Sequence, residues 1–221
     1  MIFPVLEVTL AAADAAARRL TTAAKVKAAL RKTGSIDDTL IESIIDRISA
    51  AAAGFCGLAR AATGAVPTFG AETLRATWYA ETAGRGSRLI LPWRVPITAI
   101  TSIVEAGDTL VEGTDYKLLG GGMVQRLDDD APCDWSAEKI VAVYTAGWAL
   151  PGSVPAEVEG AIIEQVKLAY LGTARDPGIK SETVPDVHQV QFNFAGGDAI
   201  GVSGLLVSVE AALSPFRNRE L

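Results

Sequence analysis

"SIDDTLIESIIDRISAAAAGFCG" runs from Ser35 to Gly57, and its reading decides how the rest of the chain is understood. Leu40, Ile41, Ile44, Ile45, Ile48, Ala52 and Phe55 recur at steps of three and four, which is one apolar face on a period of 3.6. The spacing predicts an amphipathic helix. Ser35 is placed to cap it, since its hydroxyl can accept from the Asp38 N–H, and Gly54 or Gly57 is placed to stop it. The polar face carries Asp38, Glu42 and Asp46 in one line. An acidic line on a helix is ordinarily a solvated face. A helix with one apolar side must bury it, so this segment belongs to a packed domain.

Working outward, "TTAAKVKAALRKTG" reads as a shorter helix, capped by a threonine and closed at Gly34, that forms a helical hairpin with the first. Residues 1–20 are Ala-rich and weakly patterned, and read as an N-terminal extension before the hairpin at 21–57. After Gly57 the texture changes. Leu74, Ala76 and Trp78 alternate with polar neighbours, as do Leu89 and Leu91. "ITAITSIVEAGDTLVEGTDYKL" reads as strand, turn, short strand, turn, strand, and "KIVAVYTAG" as a further strand. The segment 58–150 is therefore expected to be an antiparallel β insertion. A third long helix is expected at 151–175, with Pro155 in its first turn. A loop and extended arm follow at 176–204, where Val190, Phe192 and Phe194 alternate with polar residues. A short helix and tail at 205–221 close the chain. The expected fold class is α+β: a helical bundle of three to four helices with a small antiparallel β insertion between the second and third long helices.

The chain has 221 residues, about half of them hydrophobic, so a core can form. Its net charge of -6 disfavours a groove that grips nucleic-acid phosphates, which needs clustered Lys and Arg. Two distant cysteines, Cys56 and Cys133, make no disulfide framework, and a reducing compartment is expected. The first residues lack the basic start of a secretory signal, and no apolar run has the ~18 residues needed to span a bilayer. No membrane partner is expected.

Features that would carry chemistry are weak. "GGDAIGVS" (196–203) has the glycine spacing of a phosphate loop, but Val202 stands where the lysine is required. "GVSGL" has Leu205 in place of the second glycine of a nucleophile elbow. The single histidine, His188, opens an alternating run and has no triad around it. Asp128, Asp129 and Asp130 lack the spaced oxygen ligands of a calcium loop, and zinc-ligand spacing is absent. No catalytic residue, cofactor or metal is expected.

The segment order resembles the head–tail connector (adaptor, or head-completion) family of long-tailed bacteriophages and the related gene-transfer-agent adaptor. The residues that carry the resemblance are "LTTAAKVKAALRKTG" (20–34), "DDTLIESIIDRISAAAAGFCG" (37–57), "LILPWRVPITAITSIVEAGDTLVEGTDYKL" (89–118), "IVAVYTAGW" (140–148) and "VPAEVEGAIIEQVKLAY" (154–170), with "LSPFRN" near the end. Each motif is a common helix cap or strand end; the ordered set is what resembles the family. Residues 1–19 and 176–204 depart from its compact pattern. The resemblance implies a structural subunit rather than an enzyme. It implies a ring of identical copies, twelve-fold in the family, in the neck of a virion or phage-like particle, assembled in the host cytoplasm. The ring would sit under the portal protein and meet the next neck, stopper or tail protein, with double-stranded DNA passing through without specific binding. On that reading Leu213, Pro215, Phe216, Arg217 and Arg219 are expected to bind the portal, mobile until they do. Val190, Phe192 and Phe194 are expected to form an arm onto a neighbouring subunit. Asp38, Glu42 and Asp46 face either the channel or solvent. Another neck or tail-completion protein and a small α+β enzyme are the alternatives.

Overall fold

A computed structural model describes residues 4–11, 14–58, 66–79, 86–91, 96–136, 139–173, 181–184, 188–191, 201 and 203–217. Strand β1 (Val5–Leu10) precedes a 3-10 turn (Ala16–Arg18) and helices α1 (Ala23–Leu30) and α2 (Asp38–Phe55). Strands β2 (Glu72–Trp78), β3 (Arg88–Ile90), β4 (Ile97–Glu105), β5 (Asp108–Leu110), β6 (Tyr116–Leu118), β7 (Met123–Asp128), β8 (Ala131–Pro132) and β9 (Ile140–Ala146) follow. Helix α3 (Ala156–Thr173), strands β10 (Ser181–Val184) and β11 (His188–Gln191), helix α4 (Val207–Leu213) and a 3-10 turn (Ser214–Phe216) complete the order. The chain divides into two compact units: residues 1–17 with 58–149, and residues 18–57 with 150–221.

The first unit holds two antiparallel sheets. One has the order β1-β2-β9-β4-β5; the other is β3-β7-β6, with β8 paired to β7. Strand alternation puts Leu74, Ala76 and Trp78 of β2 on the same face as Ile140, Ala142, Tyr144 and Ala146 of β9. These residues share one core with Leu89, Tyr116, Val124 and Trp135 from around the second sheet. A polar tie crosses between the sheets. Arg126 of β7 donates from Nε to Glu105 of β4 at 2.8 Å, and the other Glu105 oxygen accepts the Ser136 N–H at 2.6 Å. Glu105 is 7% exposed, and burying a carboxylate is costly unless it is bonded in this way. Asp129 and Asp130 both take positive φ, 50° and 61°, as a two-residue turn between β7 and β8 demands.

Two glycines allow backbones to touch beside this sheet. Gly147 has φ 121°, and a Cβ there would stand 2.4 Å from the Gly70 carbonyl oxygen; a Cβ on Gly70 would stand 2.3 Å from that of Ala17. The close approach brings the Trp148 N–H to the Phe69 carbonyl at 2.8 Å and stacks the two rings at 4.8 Å, 10° from parallel.

The second unit contains the helices. Thr22 caps α1 by accepting the Lys25 N–H at 3.3 Å. Helix α2 buries Ile41, Ile44, Ile45, Ile48 and Ala52, α3 buries Val158, Ile162, Val166 and Tyr170, and α4 buries Val209 and Leu213. The four helices pack on one another. Lys32, Asp37 and Tyr170 join the α1–α2 turn to α3. Tyr170 donates to Asp37 at 2.8 Å, and Lys32 bonds Asp37 at 2.9 Å and also the Tyr170 hydroxyl.

The expectation of a helical bundle with a small β insertion is overturned. The β part is two sheets with a core of their own, and it includes a strand from the start of the chain. Strand β1 is obscured in the sequence by the alanines that follow it, and β7 by the glycines of its turn at 120–122. The expected cap differs too. Helix α2 starts at Asp38, and Ser35 contributes its carbonyl, not its hydroxyl, accepting from the Asp38 N–H at 3.1 Å. The Asp37 carboxylate does not cap the helix either, being held by Lys32 and Tyr170.

Gly147→Ala is expected to destabilise the protein by about 2 kcal/mol or more, since it combines a disfavoured φ with a backbone collision. Gly120→Ala, where a Cβ meets nothing within 4 Å, is the control that leaves stability nearly unchanged. Urea unfolding followed by tryptophan fluorescence measures both.

The bonds from Lys32, then Tyr170, hold Asp37 below the usual carboxylate range, and Tyr170, then Asp37, holds Lys32 above the usual ammonium range. A lowered carboxylate stabilises the fold above its unfolded value, near pH 4, and loses that contribution as pH falls through its folded value. A raised ammonium contributes below its unfolded value, near pH 10.4, and loses that as pH rises through its folded one. Asp37→Asn is therefore expected to make the thermal midpoint fall less steeply as the pH drops below about 4 than in the unaltered protein. Helical circular dichroism against temperature, at a series of pH values, checks it.

Candidate functional site

The acidic line on α2 is placed as the helical period requires, but none of its carboxylates stands alone. Asp38 pairs with Lys27 at 2.6 Å. Asp46 takes a two-pronged bond from Arg19, 2.6 Å from Nε and 3.1 Å from Nη2, and Glu42 lies 3.3 Å from Nη1 of the same guanidinium. Asp46, with Glu42 beside it, holds Arg19 above its ordinary range. Three carboxylates thus face two cations, and the stripe is a pairing surface that fastens the chain before α1, and α1 itself, to α2. Arg19 lies 27 positions from Asp46, outside any local pattern, so sequence spacing does not reveal the pairing. Thr21 and Lys25 make a comparable tie to Glu159 of α3, at 3.2 Å and 2.7 Å.

The C-terminal residues are packed as well. Leu213 is fully buried, and its carbonyl accepts a long bond from the Cys56 thiol at 3.8 Å. Burial pushes that thiol up to about 12, so Cys56 is a core residue rather than a nucleophile. Pro215 is exposed, Phe216 is half-buried, and the Arg217 guanidinium stands 4.7 Å over the Phe55 ring at the end of α2. The structure therefore places Leu213 in the helical core and holds residues 214–217 in a turn, where a tail mobile until docking was expected. Arg219 lies outside the described residues.

Val190 falls in β11, which pairs with β10 as an antiparallel hairpin in the register Ser181↔Gln191, Glu182↔Val190, Thr183↔Gln189 and Val184↔His188. Residues 181–184, expected as loop, are thus a strand. Phe192 and Phe194 lie outside the described residues. The described residues among those singled out from the sequence lie on the α2 face, at the end of α4 and on β11.

Among the described residues, no group of three or more His, Cys, Asp or Glu side chains is arranged to hold a metal ion, and no helix is long and apolar enough to cross a membrane. Glu105 and Arg126 bond each other and the neighbouring backbone, which joins the two sheets of the first unit.

No family model matches the chain, and no curated protein matches it. Solved structures do. A chain of the neck of a native GTA particle, computed with C12 symmetry, has a TM-score of 0.52 at 15% identity, covering 98% of this chain and 97% of its own length. A chain of the neck of an empty GTA particle, computed with C6 symmetry, has a TM-score of 0.53 at 17% identity with the same coverage. A chain of the virion of a native gene transfer agent particle has a TM-score of 0.51 at 17% identity, again covering 98% and 97%. Over nearly its whole length, the protein has a fold like that of chains from the neck and virion of gene transfer agent particles.

Proposed function

We propose that this chain is a structural head–tail connector subunit of a tailed phage or phage-like particle. Copies form a ring in the neck, beneath the portal, and join the DNA-filled head to the next neck or tail protein. The observation that carries the reading is the fold likeness over 98% of the chain to chains of particle necks solved with C12 and C6 symmetry. A likeness of that extent takes in both compact units and not only a shared helical hairpin. The motif order of the sequence points the same way independently. Twelve copies is the number we assign, following the C12 neck.

A closed ring of identical subunits needs two different patches that fit each other, because rotation about one axis is head-to-tail. DNA passing through such a ring must not adhere, and a chain of net charge -6 suits that requirement. We do not assign the channel wall to Asp38, Glu42 and Asp46, since Lys27 and Arg19 offset most of their charge. The portal contact is assigned to Pro215, Phe216, Arg217 and the residues onward to Arg219. Leu213 is left out because its side chain is already enclosed by its own unit. Arginine and phenylalanine at a chain end suit an acidic, partly apolar surface on the partner. The role is mechanical, with assembly in the host cytoplasm and residence in the particle neck.

Removing the gene from a producing strain is expected to leave DNA-filled heads without tails. The full chain supplied in trans restores tailed particles. A chain truncated after Ser214 keeps its helical circular dichroism but restores far fewer. Tailed particles at normal numbers without the gene would overturn the connector reading. Full restoration by the truncated chain would move the portal contact elsewhere on the subunit.

A further inference from the structure

Strand β1 ends the five-stranded sheet. Its inner edge pairs with β2 from Val5 to Leu10, and no described backbone group bonds its outer edge. The strand reads VLEVTL, with Val5 50% and Leu10 67% exposed. A row of free N–H and C=O groups on a largely apolar edge is a template for another strand. Natural edges are usually blunted by lysine, proline, a bulge or a covering segment. In β1 the only charged residue is Glu7, and the register shifts only beyond Val8, so Val5 to Val8 is a regular run of four residues whose outer edge no described strand covers.

The β10–β11 hairpin is the complementary element. Its strands are four residues each and pair with one another and with no other named strand. A two-stranded ribbon alone is marginal in water; a third strand or a packed face is needed to hold it.

We propose that in the assembled ring the hairpin of one copy adds to β1 of the next, with β11 as the strand that pairs, so that the sheet continues across the subunit boundary. This rests on the ring reading above and gives it a specific joint. The four-residue length of β11 matches the regular part of β1. Symmetry selects this partner. Pairing β1 with β1 of another copy would be two-fold and stop at a dimer, whereas hairpin-to-edge pairing uses two different patches and can proceed around a ring. Each copy brings one hairpin and one open β1 edge, so a closed ring leaves none over. Charge selects the strand. The sequence of β10, SETV, carries an acid, a like charge to that of β1, while the sequence of β11, HQVQ, carries none. Main-chain bonds of this kind give affinity with little demand on side-chain identity.

The test uses full-length chain assembled with portal, in a Cys133→Ser background. One copy carries Glu7→Cys, and a differently tagged copy carries Gln189→Cys or Gln191→Cys. Oxidation is expected to link the two tags in rings, with no link from either single variant. Separately, residues 181–191 are replaced by a Gly/Ser segment of equal length. Ring formation should then require about tenfold more protein or worse, a loss worth ~1.4 kcal/mol per contact, while the unfolding curve of the monomer stays the same. Rings in which the two tags do not become linked, or rings at unchanged concentration without the hairpin, overturn the strand addition and leave the connector reading standing. An unaltered chain that never forms a ring on the portal overturns both.

Discussion

Strand β9 is paired along its length on both sides, and the β unit depends on that pairing. Its residues from Ile140 to Ala146 match β2 without a break, and they match β4 with two register shifts. Every second side chain, Ile140, Ala142, Tyr144 and Ala146, is buried to 1% exposure or less. Enclosing an aliphatic or aromatic side chain of this size contributes roughly 1.5–3 kcal/mol. A shift of β9 by one residue would turn this row to the other face and bring Val141, Val143 and Thr145 inward. The register therefore fixes where β2 and β4 lie, and through them the edges β1 and β5. Glu105 at the end of β4 reaches Arg126 of β7, which ties the second sheet to the same frame.

The helical unit is held in two ways at once. Its interior is aliphatic, with Ile41, Ile45, Ile162 and Leu213 fully enclosed. Around it, half-exposed ion pairs link segments distant in sequence: Arg19 to Asp46, Lys25 to Glu159, and Lys32 to Asp37 and Tyr170. Ion pairs open to solvent contribute little to stability, because water screens them. Their effect here is to fix which charges are free to act on a partner. The α2 stripe is acidic in sequence but largely offset in structure, while Arg217 stands over the Phe55 ring and remains exposed.

Helices α1, α2 and α3 were legible because the 3.6-residue period is strong and their ends carry threonine, glycine and proline. Strands β2, β4, β5, β6 and β9 were legible from alternation between turn residues. Strand β1 was not, because six residues of strand give a weak local signal beside an alanine run, and their pairing partner lies more than sixty positions away. Strand β7 follows glycines that look like a plain turn. The size of the β unit was underestimated for the same reason: its first strand comes from before the helices. Asp38, Glu42 and Asp46 lie on α2 and Leu213 ends α4, as the helical periods put them. What sequence could not supply was their partners, since Arg19, Lys27 and Phe55 find them only after the chain has folded. Resemblance in motif order pointed toward proteins of the kind whose fold this chain shares, although no family model matches the chain.

A cryo-electron microscopy reconstruction of the neck of particles from the producing strain tests the central claim most directly. The account predicts a ring of twelve copies beneath the portal, each fitted by both the two-sheet unit and the helical unit. A complete, tailed particle whose neck contains no density that this chain fits would contradict it.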